Sequence, residues 1–511
     1  MRVGIMTPGL SKGDAVSNDA AGMYATLQAE GYATYLFTPS GETSTELPVH
    51  RYADLRWLLD KADDCVIYHY CTADQLALNH LRRLTCGIVV KYHNVTPSYY
   101  MAPYSSAFTQ GTKEGRRGLM DLADMRVDHF LADSTFNANE LMAFGVAANK
   151  LWLLPPFNAV EDLLALPDDP AVRAVLNEHT FNLLAVGRVV PNKGLDSMLD
   201  SLAGIAGSGL RPHLHIVGGH DDRLSGYLSH LRTVVKQRKL SDYVTFHGTL
   251  GSEAIATFFR YCDLFWTTSQ HEGFCVPAVE AMAFGKAILA TPHGALRETC
   301  GDVARFADTV GEHSDRLLEM LKDDTARVLQ GRLGRRRYEE VFNHSHTQAR
   351  FIEFVRWLER HRSEIVAPES VDVGTDWFGL PQGALLAKAA MHARREVHSL
   401  ALTAQDGRLD LLYWALTVGR KQSEEIAAYF RQPSLHAYAS SIAVPRSASR
   451  LSPMMRLSWF FSRYAQATFD LTSQPQVAAY QRWFLRMARK YDLFDLFTPT
   501  EQRFLGVGWL N

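Results

Sequence analysis

Short apolar runs separated by helical stretches set the rhythm of the chain from its first residues. RVGIM, ATYLFT, CVIYHY, GIVVKYH, HFLADS and LWLLPP read as strands with helices between them, the first helix running from about Ser17 to Glu30. The runs are almost continuously apolar rather than alternating, as expected of parallel strands covered by helices on both faces. After a polar, acidic, Pro-containing stretch near Glu161 to Asp169 the rhythm restarts with FNLLAVG, HLHIVGG, VTFHG, DLFWTTS and KAILATP. The pattern predicts an α/β protein with two tandem Rossmann-like domains, residues 1–157 and 158–365, the second ending in helices from Arg336 to Arg362. A Pro- and Gly-containing acidic linker is expected over 366–376. From Trp377 the strand pattern vanishes, and segments such as GALLAKAAMHARREVHSLAL predict a mostly helical accessory region over 377–511.

Composition narrows the class. Hydrophobic residues at 47% and charged residues at 21% of 511 are globular values, which argues against disorder, collagen and coiled coil. Lys+Arg 53 against Asp+Glu 55 leaves a net charge of −2, so no global basic excess exists to neutralise nucleic-acid phosphates. The charge is uneven: residues 371–511 carry 16 Lys+Arg and 11 Asp+Glu, a mildly basic region. The six cysteines show no C-x-x-C and no paired zinc spacing, and read as reduced thiols. No signal peptide and no membrane-spanning run is evident, so a cytoplasmic location is expected, with membrane contact only peripheral.

Chemistry concentrates in loops that follow strands, where open α/β sheets bind ligands. Gly9 and Gly13 lie between the first strand and its helix, a turn suited to an anion or to nothing more than a tight connection. VGRVVPNKG places Arg188 and Lys193 five residues apart in one loop, as a diphosphate clamp or a solvated pair. SQHEGFCVPAVEAMAFG sets Glu272 before a helix start at Pro277, with Glu280 about one turn inside. Amide groups around Gly273, Phe274, Cys275 and Val276 would aim the positive end of that helix at a phosphate. Two exposed glutamates stabilised by the helix dipole are the plainer reading of the same letters. No D-x-D triplet occurs, and Asp221-Asp222 reads as a turn.

The E-x7-E segment, the GRVVPNKG loop, the glycine-containing first turn and the A-x-S of LADSTFNANEL occur in the order and spacing of family 4 glycosyltransferases, which the chain resembles from about Met1 to Arg362. The resemblance implies a GT-B fold, with an acceptor-side first domain and a nucleotide-sugar-binding second domain facing a cleft. Among such enzymes it is similar to bacterial ones that elongate surface polysaccharides or glycolipids, many of them mannosyltransferases using GDP-mannose. It implies that Arg188 and Lys193 bind the donor diphosphate, Glu272 the transferred sugar and Glu280 the ribose. Gly13, Gly218, Leu250, Gly273, Phe274, Cys275 and Val276 would line the donor site. His93, at the end of GIVVKYH, matches a first-domain histidine that faces the donor sugar. Cys275 departs from the family, which commonly has Gly there; its thiol reads as core-facing.

The family's chemistry retains anomeric configuration by a front-face displacement in which the leaving diphosphate accepts the acceptor proton, so neither a protein nucleophile nor a metal or other cofactor is expected. Expected partners are a nucleotide sugar, with GDP-mannose favoured and a UDP sugar the alternative, and a saccharide or lipid-linked saccharide acceptor. Nucleic acid is excluded, and membrane or assembly contact would run through the C-terminal region. Tyr99 and Tyr100 are candidates to stack on an acceptor sugar, or a packed loop. The acceptor side is expected around Asn94 to Tyr104 and the helix containing Lys113, Arg116 and Arg117, a basic cluster that reads as a solvated face rather than a lipid patch. A nucleotide-sugar 2-epimerase and a non-catalytic GT-B assembly subunit remain the alternatives.

Overall fold

The computed structural model describes residues 1–361 apart from residue 145. The expected linker over 366–376 and accessory region over 377–511 lie outside the described residues.

Two parallel sheets carry the chain. The first has seven strands: β1 (Arg2–Met6), β2 (Ala33–Thr38), β3 (Val49–Arg51), β4 (Cys65–Tyr70), β5 (Gly87–Tyr92), β6 (His129–Ala132) and β7 (Leu151–Leu153). Their order across the sheet is β3-β2-β1-β4-β5-β6-β7. The second has six: β8 (Phe181–Val186), β9 (Pro212–Val217), β10 (Val244–Gly248), β11 (Leu264–Thr267), β12 (Ala287–Ala290) and β13 (Arg305–Phe306), ordered β10-β9-β8-β11-β12-β13. Every pairing is parallel. The continuous apolar runs explain this: all residues of β4, β5 and β9 are buried, as helices on both faces require.

In both sheets the strand order reverses next to the first strand, between β1 and β4 and between β8 and β11. The loops flanking such a reversal splay apart and leave a crevice at the carboxy ends of the strands. Both domains are therefore open at the same place.

The boundaries differ from the sequence reading in two ways. The acidic stretch after β7 forms a helix, Val160–Ala165, with Glu161 and Asp162 in its first turn, where the helix dipole favours them. The last described helix, His344–His361, does not complete the second domain. Its stripe of Phe351, Phe354, Val355 and Leu358 packs into the first core with Val3, Ile5 and Phe157. An apolar stripe declares a helix but not the sheet that receives it. The chain thus crosses between the domains twice, and the crossings are tied together. The Glu161 carboxylate accepts from the Tyr338 hydroxyl (3.2 Å) and the His344 amide (2.9 Å), and Asn158 Nδ2 donates to the Phe342 carbonyl (3.5 Å).

Candidate active site

The loops after β8 and β11 flank the crevice of the second sheet, and they are bonded to each other. The Gln270 amide donates to the Asn192 carbonyl (2.8 Å), Asn192 Nδ2 to the His271 carbonyl (3.2 Å), and the Thr268 hydroxyl to the Gly194 carbonyl (2.8 Å). This zipper brings Lys193 and Glu272 together: Lys193 Nζ lies 2.5 Å from Glu272 Oε1, with side-chain exposures of 21% and 11%. Burial works against the ammonium charge, yet the Glu272 carboxylate more than compensates and raises the Lys193 pKa above its ordinary value. Arg188, on the same loop, is exposed.

The strand ends beside this pair are main chain. The amides of Gly187 and Gly218 donate to the Val217 and Gly248 carbonyls (both 2.9 Å), continuing the ladder past the strands. Gly218 has φ 148, and a Cβ there would lie 2.0 Å from the Gly187 carbonyl oxygen, so no side chain fits. The helix after Glu272 spans Val276–Ala283 and starts one residue before Pro277. Its cap, Cys275, sits in the left-handed region (φ 78) without the glycine that such a turn favours. The thiol is buried in the core beneath the site, and that burial pushes its pKa well above the ordinary range. Phe274 is pinned from behind, its carbonyl accepting from the Thr299 hydroxyl (2.6 Å). Glu280, one turn in and half-buried, has its carboxyl pushed up to about 7 by desolvation. Leu250 packs at the edge of the second core.

Across the cleft, Asn94 (φ 76) follows His93 and touches the loop after β11. Its Oδ1 lies 2.7 Å from His271 Nε2, and a Cβ on Gly273 would sit 2.6 Å from the Asn94 Cβ. The Ser134 hydroxyl donates to the Gly273 carbonyl (2.7 Å), and the Tyr100 hydroxyl to the Gln270 carbonyl (3.2 Å). Glu298 of the second domain accepts from the amide of Thr135 (2.8 Å), at the start of a first-domain helix. Gly13 (φ 77) lies in the turn between β1 and the first helix, Ala15–Ala29, next to Asp14, whose carboxylate caps that helix by accepting from the Ser17 amide (2.9 Å).

Under this interface lies a buried charge cluster. His93 Nδ1 donates to Asp133 (3.0 Å), Lys91 Nζ lies 2.6 Å from the same carboxylate, and His93 Nε2 is 2.9 Å from His69 Nδ1. Asp19 lies 3.5 Å from His93 and 3.6 Å from His69. Burial alone would raise Asp133, but Lys91 and His93 hold it below the usual carboxylate range. Asp19, buried with weaker compensation, goes up, and His69 is driven well below its ordinary value by desolvation. Both nitrogens of His93 are thus engaged inside the first domain, whereas the resemblance turns this ring toward the donor sugar.

Arg116 corrects the reading of a solvated basic face. It is fully buried, paired with Glu140 at 2.9 Å and donating to the Val95 carbonyl (2.9 Å). Tyr99 and Tyr100 pack on each other at 4.3 Å. None of the six cysteines, all among the described residues, is disulfide-bonded.

Residues 171–337, which carry the Lys193–Glu272 pair, match the family model described as "Glycosyl transferases group 1". This segment is a group 1 glycosyl transferase domain. Mannosylfructose-phosphate synthase of Agrobacterium fabrum is 32% identical to the chain over 201 residues, covering 38% of this chain and 44% of that protein. The GDP-mannose-dependent alpha-(1-6)-phosphatidylinositol monomannoside mannosyltransferase of Mycobacterium tuberculosis is 26% identical over 230 residues, 42% and 57% of the two chains. The chain spans about half the length of the curated relatives it matches. Anabaena HepE in complex with UDP superposes with a TM-score of 0.57 at 16% identity, over 70% of this chain and 100% of that one. Sucrose-phosphate synthase of Thermosynechococcus elongatus gives 0.56 at 18%, over 70% and 99%. The transferase domain is therefore the second half of a GT-B fold. Among the described residues no helix is long and apolar enough to cross a membrane.

The sequence reading brought together Lys193, Glu272 and the 273–276 turn, and singled out the stretch beginning at Asn94 and the A-x-S that ends in Ser134 without their contacts to the second domain, but it missed His271 and Glu298 on the facing surfaces. It also missed Asp19, His69, Lys91 and Asp133. For His69 and Lys91 the signal was a polar letter inside an apolar strand, CVIYHY and GIVVKYH, whereas Asp19 on the first helix and Asp133 just past β6 carried no such mark.

Proposed function

We propose that the chain is a retaining glycosyltransferase that moves a sugar, mannose from GDP-mannose in the favoured case, to a saccharide or glycolipid acceptor. The observation that carries this reading is the Lys193–Glu272 pair on the two loops that flank the strand-order reversal, beside a helix start. Lys193 and Arg188 neutralise the diphosphate, with the amides of the 273–276 turn completing the cradle, and Glu272 grips sugar hydroxyls while Glu280 meets the ribose. The Lys193–Glu272 bond keeps two half-buried charges paired until donor arrives, and the donor then divides them between phosphate and sugar. Negative charge grows on the leaving phosphate in the transition state, where positioned donors in a dry cleft are worth about 3 kcal/mol each. The leaving diphosphate takes the acceptor proton, so no metal and no protein base is invoked. The Asp133 bond fixes the proton of His93 on Nδ1, and Nε2 orients the sugar once His69 releases it.

The mannose preference is supported by relatives whose names specify mannose or GDP-mannose; UDP in the HepE complexes supports the alternative donor. A thermal-shift panel of GDP, UDP and ADP sugars is the test, followed by proton NMR of the product. Stabilisation by GDP-mannose above the others and an α-configured product are expected. An inverted product overturns the mechanism. Isomerised free sugar in place of transfer would convert the reading to an epimerase, and silence to every nucleotide sugar would leave a binding subunit.

A further inference from the structure

On the face of the second sheet that meets the helices Pro170–Asn177 and Ser252–Tyr261, four imidazoles replace the expected aliphatic packing. His213 and His215 lie two residues apart on β9 and so share one face. His247 is on the neighbouring edge strand β10, and His179 lies just before β8. The rings form a row: His179 stacks on His213 at 3.8 Å, His213 and His215 are 4.8 Å apart, and His215 and His247 are 5.3 Å apart. Phe258 closes the row from above, at 5.2 Å from His215 and 4.8 Å from His247. Burying so much imidazole among apolar groups is costly unless the lone pairs are used.

Hydrogen bonds fix where those lone pairs are. Asn182 Nδ2 donates to the Leu176 carbonyl (3.1 Å), so its Oδ1 is the acceptor for His215 Nε2–H (2.9 Å). His215 Nδ1 is left with a lone pair, 3.0 Å from His247 Nε2. His213 Nδ1 donates to the Asp242 carbonyl (3.3 Å), leaving the Nε2 lone pair beside the Thr245 hydroxyl (2.8 Å). Giving one ring N–H to a protein oxygen and presenting the other nitrogen is how metal-ligating histidines are held. One ligand nitrogen from each of His179, His213 and His215 lies within 4.8 Å of the other two.

The geometry points to a binding site for a divalent transition-metal ion of the zinc class, ligated by His179, His213 and His215 with His247 as fourth ligand. Imidazole is a suitable donor for such ions, and a tetrahedral set needs metal–nitrogen distances of about 2.0–2.1 Å. The closing movement falls on His179, which is half-exposed at the end of a helix. Its ring must turn off the stack, because two parallel stacked rings cannot both aim in-plane lone pairs at one ion. His247 shifts its proton from Nε2 to Nδ1, so no proton has to be expelled from a charged ring. His213 is the second residue of β9, towards the end of the sheet opposite the loops of the cleft, so the ion would tie the segment before β8 to the edge strand β10 and take no part in transfer.

The test uses the full chain, stripped with chelator and titrated with Zn²⁺ by calorimetry and with Co²⁺ by visible absorption, beside His179→Ala. One equivalent of Zn²⁺, tetrahedral cobalt absorption and a metal-dependent rise in melting temperature are expected. His179→Ala should keep its metal-free melting temperature and lose affinity about 10–100-fold or more. Absence of stoichiometric binding, octahedral cobalt absorption, or binding and stabilisation unchanged in His179→Ala would overturn the site. In that case the row is a hydrogen-bonded polar cluster only.

Discussion

Around the carboxy ends of its central strands the first sheet buries Asp19, His69, Lys91, His93 and Asp133, whereas the second sheet ends at the equivalent place in Gly187, Gly218 and Gly248. The two domains share a plan, and the difference lies in what each must do with charge. On the first side the charges neutralise one another inside the protein. On the second side the Lys193–Glu272 pair stands at the cleft with partial exposure, and the floor is main chain, which lets a large anion approach closely. Charge that is consumed internally sets stability and shape, and charge that is kept at the surface of a cleft is available for a ligand.

That contrast breaks if substitutions in the first cluster behave like those in the second. The largest effect is expected from Lys91→Met, which leaves Asp133 and Asp19 buried without their cation and should cost about 3–5 kcal/mol in urea unfolding. A loss below about 1 kcal/mol would show that the cluster is wet or protonated. Lys193→Ala should do the opposite, lowering transfer about 10²–10³-fold in steady-state assays while the unfolding midpoint hardly moves. Wild-type turnover in that variant would remove Lys193 from the donor site. Gly218→Ala tests the main-chain floor: a Cβ 2.0 Å from a carbonyl oxygen at φ 148 forces a strand end to shift, at about 3 kcal/mol. A melting temperature equal to wild type would mean that the loops are looser than drawn.

The smallest expected effect is a pH slope. Desolvation raises Glu280 in the folded chain from 4.5 to about 7. Between those values the folded protein holds a proton that the unfolded chain has released, so stability from this group is greatest below 4.5 and falls as pH rises through about 7. Glu280→Gln should flatten that part of the stability profile. An unchanged slope would place Glu280 in water.

The parallel architecture was legible because burial on both faces writes itself as unbroken apolar runs, and eleven of the strands stand on them. The edge strands β3 and β13 were not, since three and two residues carry no period. The loop positions of Lys193 and Glu272 followed from strand ends alone, but their 2.5 Å contact required knowing that β8 and β11 are neighbours. Arg116 was misread for a related reason. Its partner Glu140 lies on another helix, and nothing near Arg116 in the chain announces a buried carboxylate. Cys275 shows the limit from the other side: a left-handed cap where no glycine marks it.

The double crossing between the domains has a mechanical consequence. A single connecting strand would act as a swivel, free to twist as well as bend. Two crossings bonded through Glu161 to Tyr338 and His344 act as a pair of rails, stiff against torsion and compliant only in opening and shutting. Because the second rail ends in the helix His344–His361 on the first core, that helix travels with the first domain's frame as it swings against the transferase domain. Spin labels across the cleft should accordingly report one distance coordinate; a broad spread of orientations would mean that the rails are not joined.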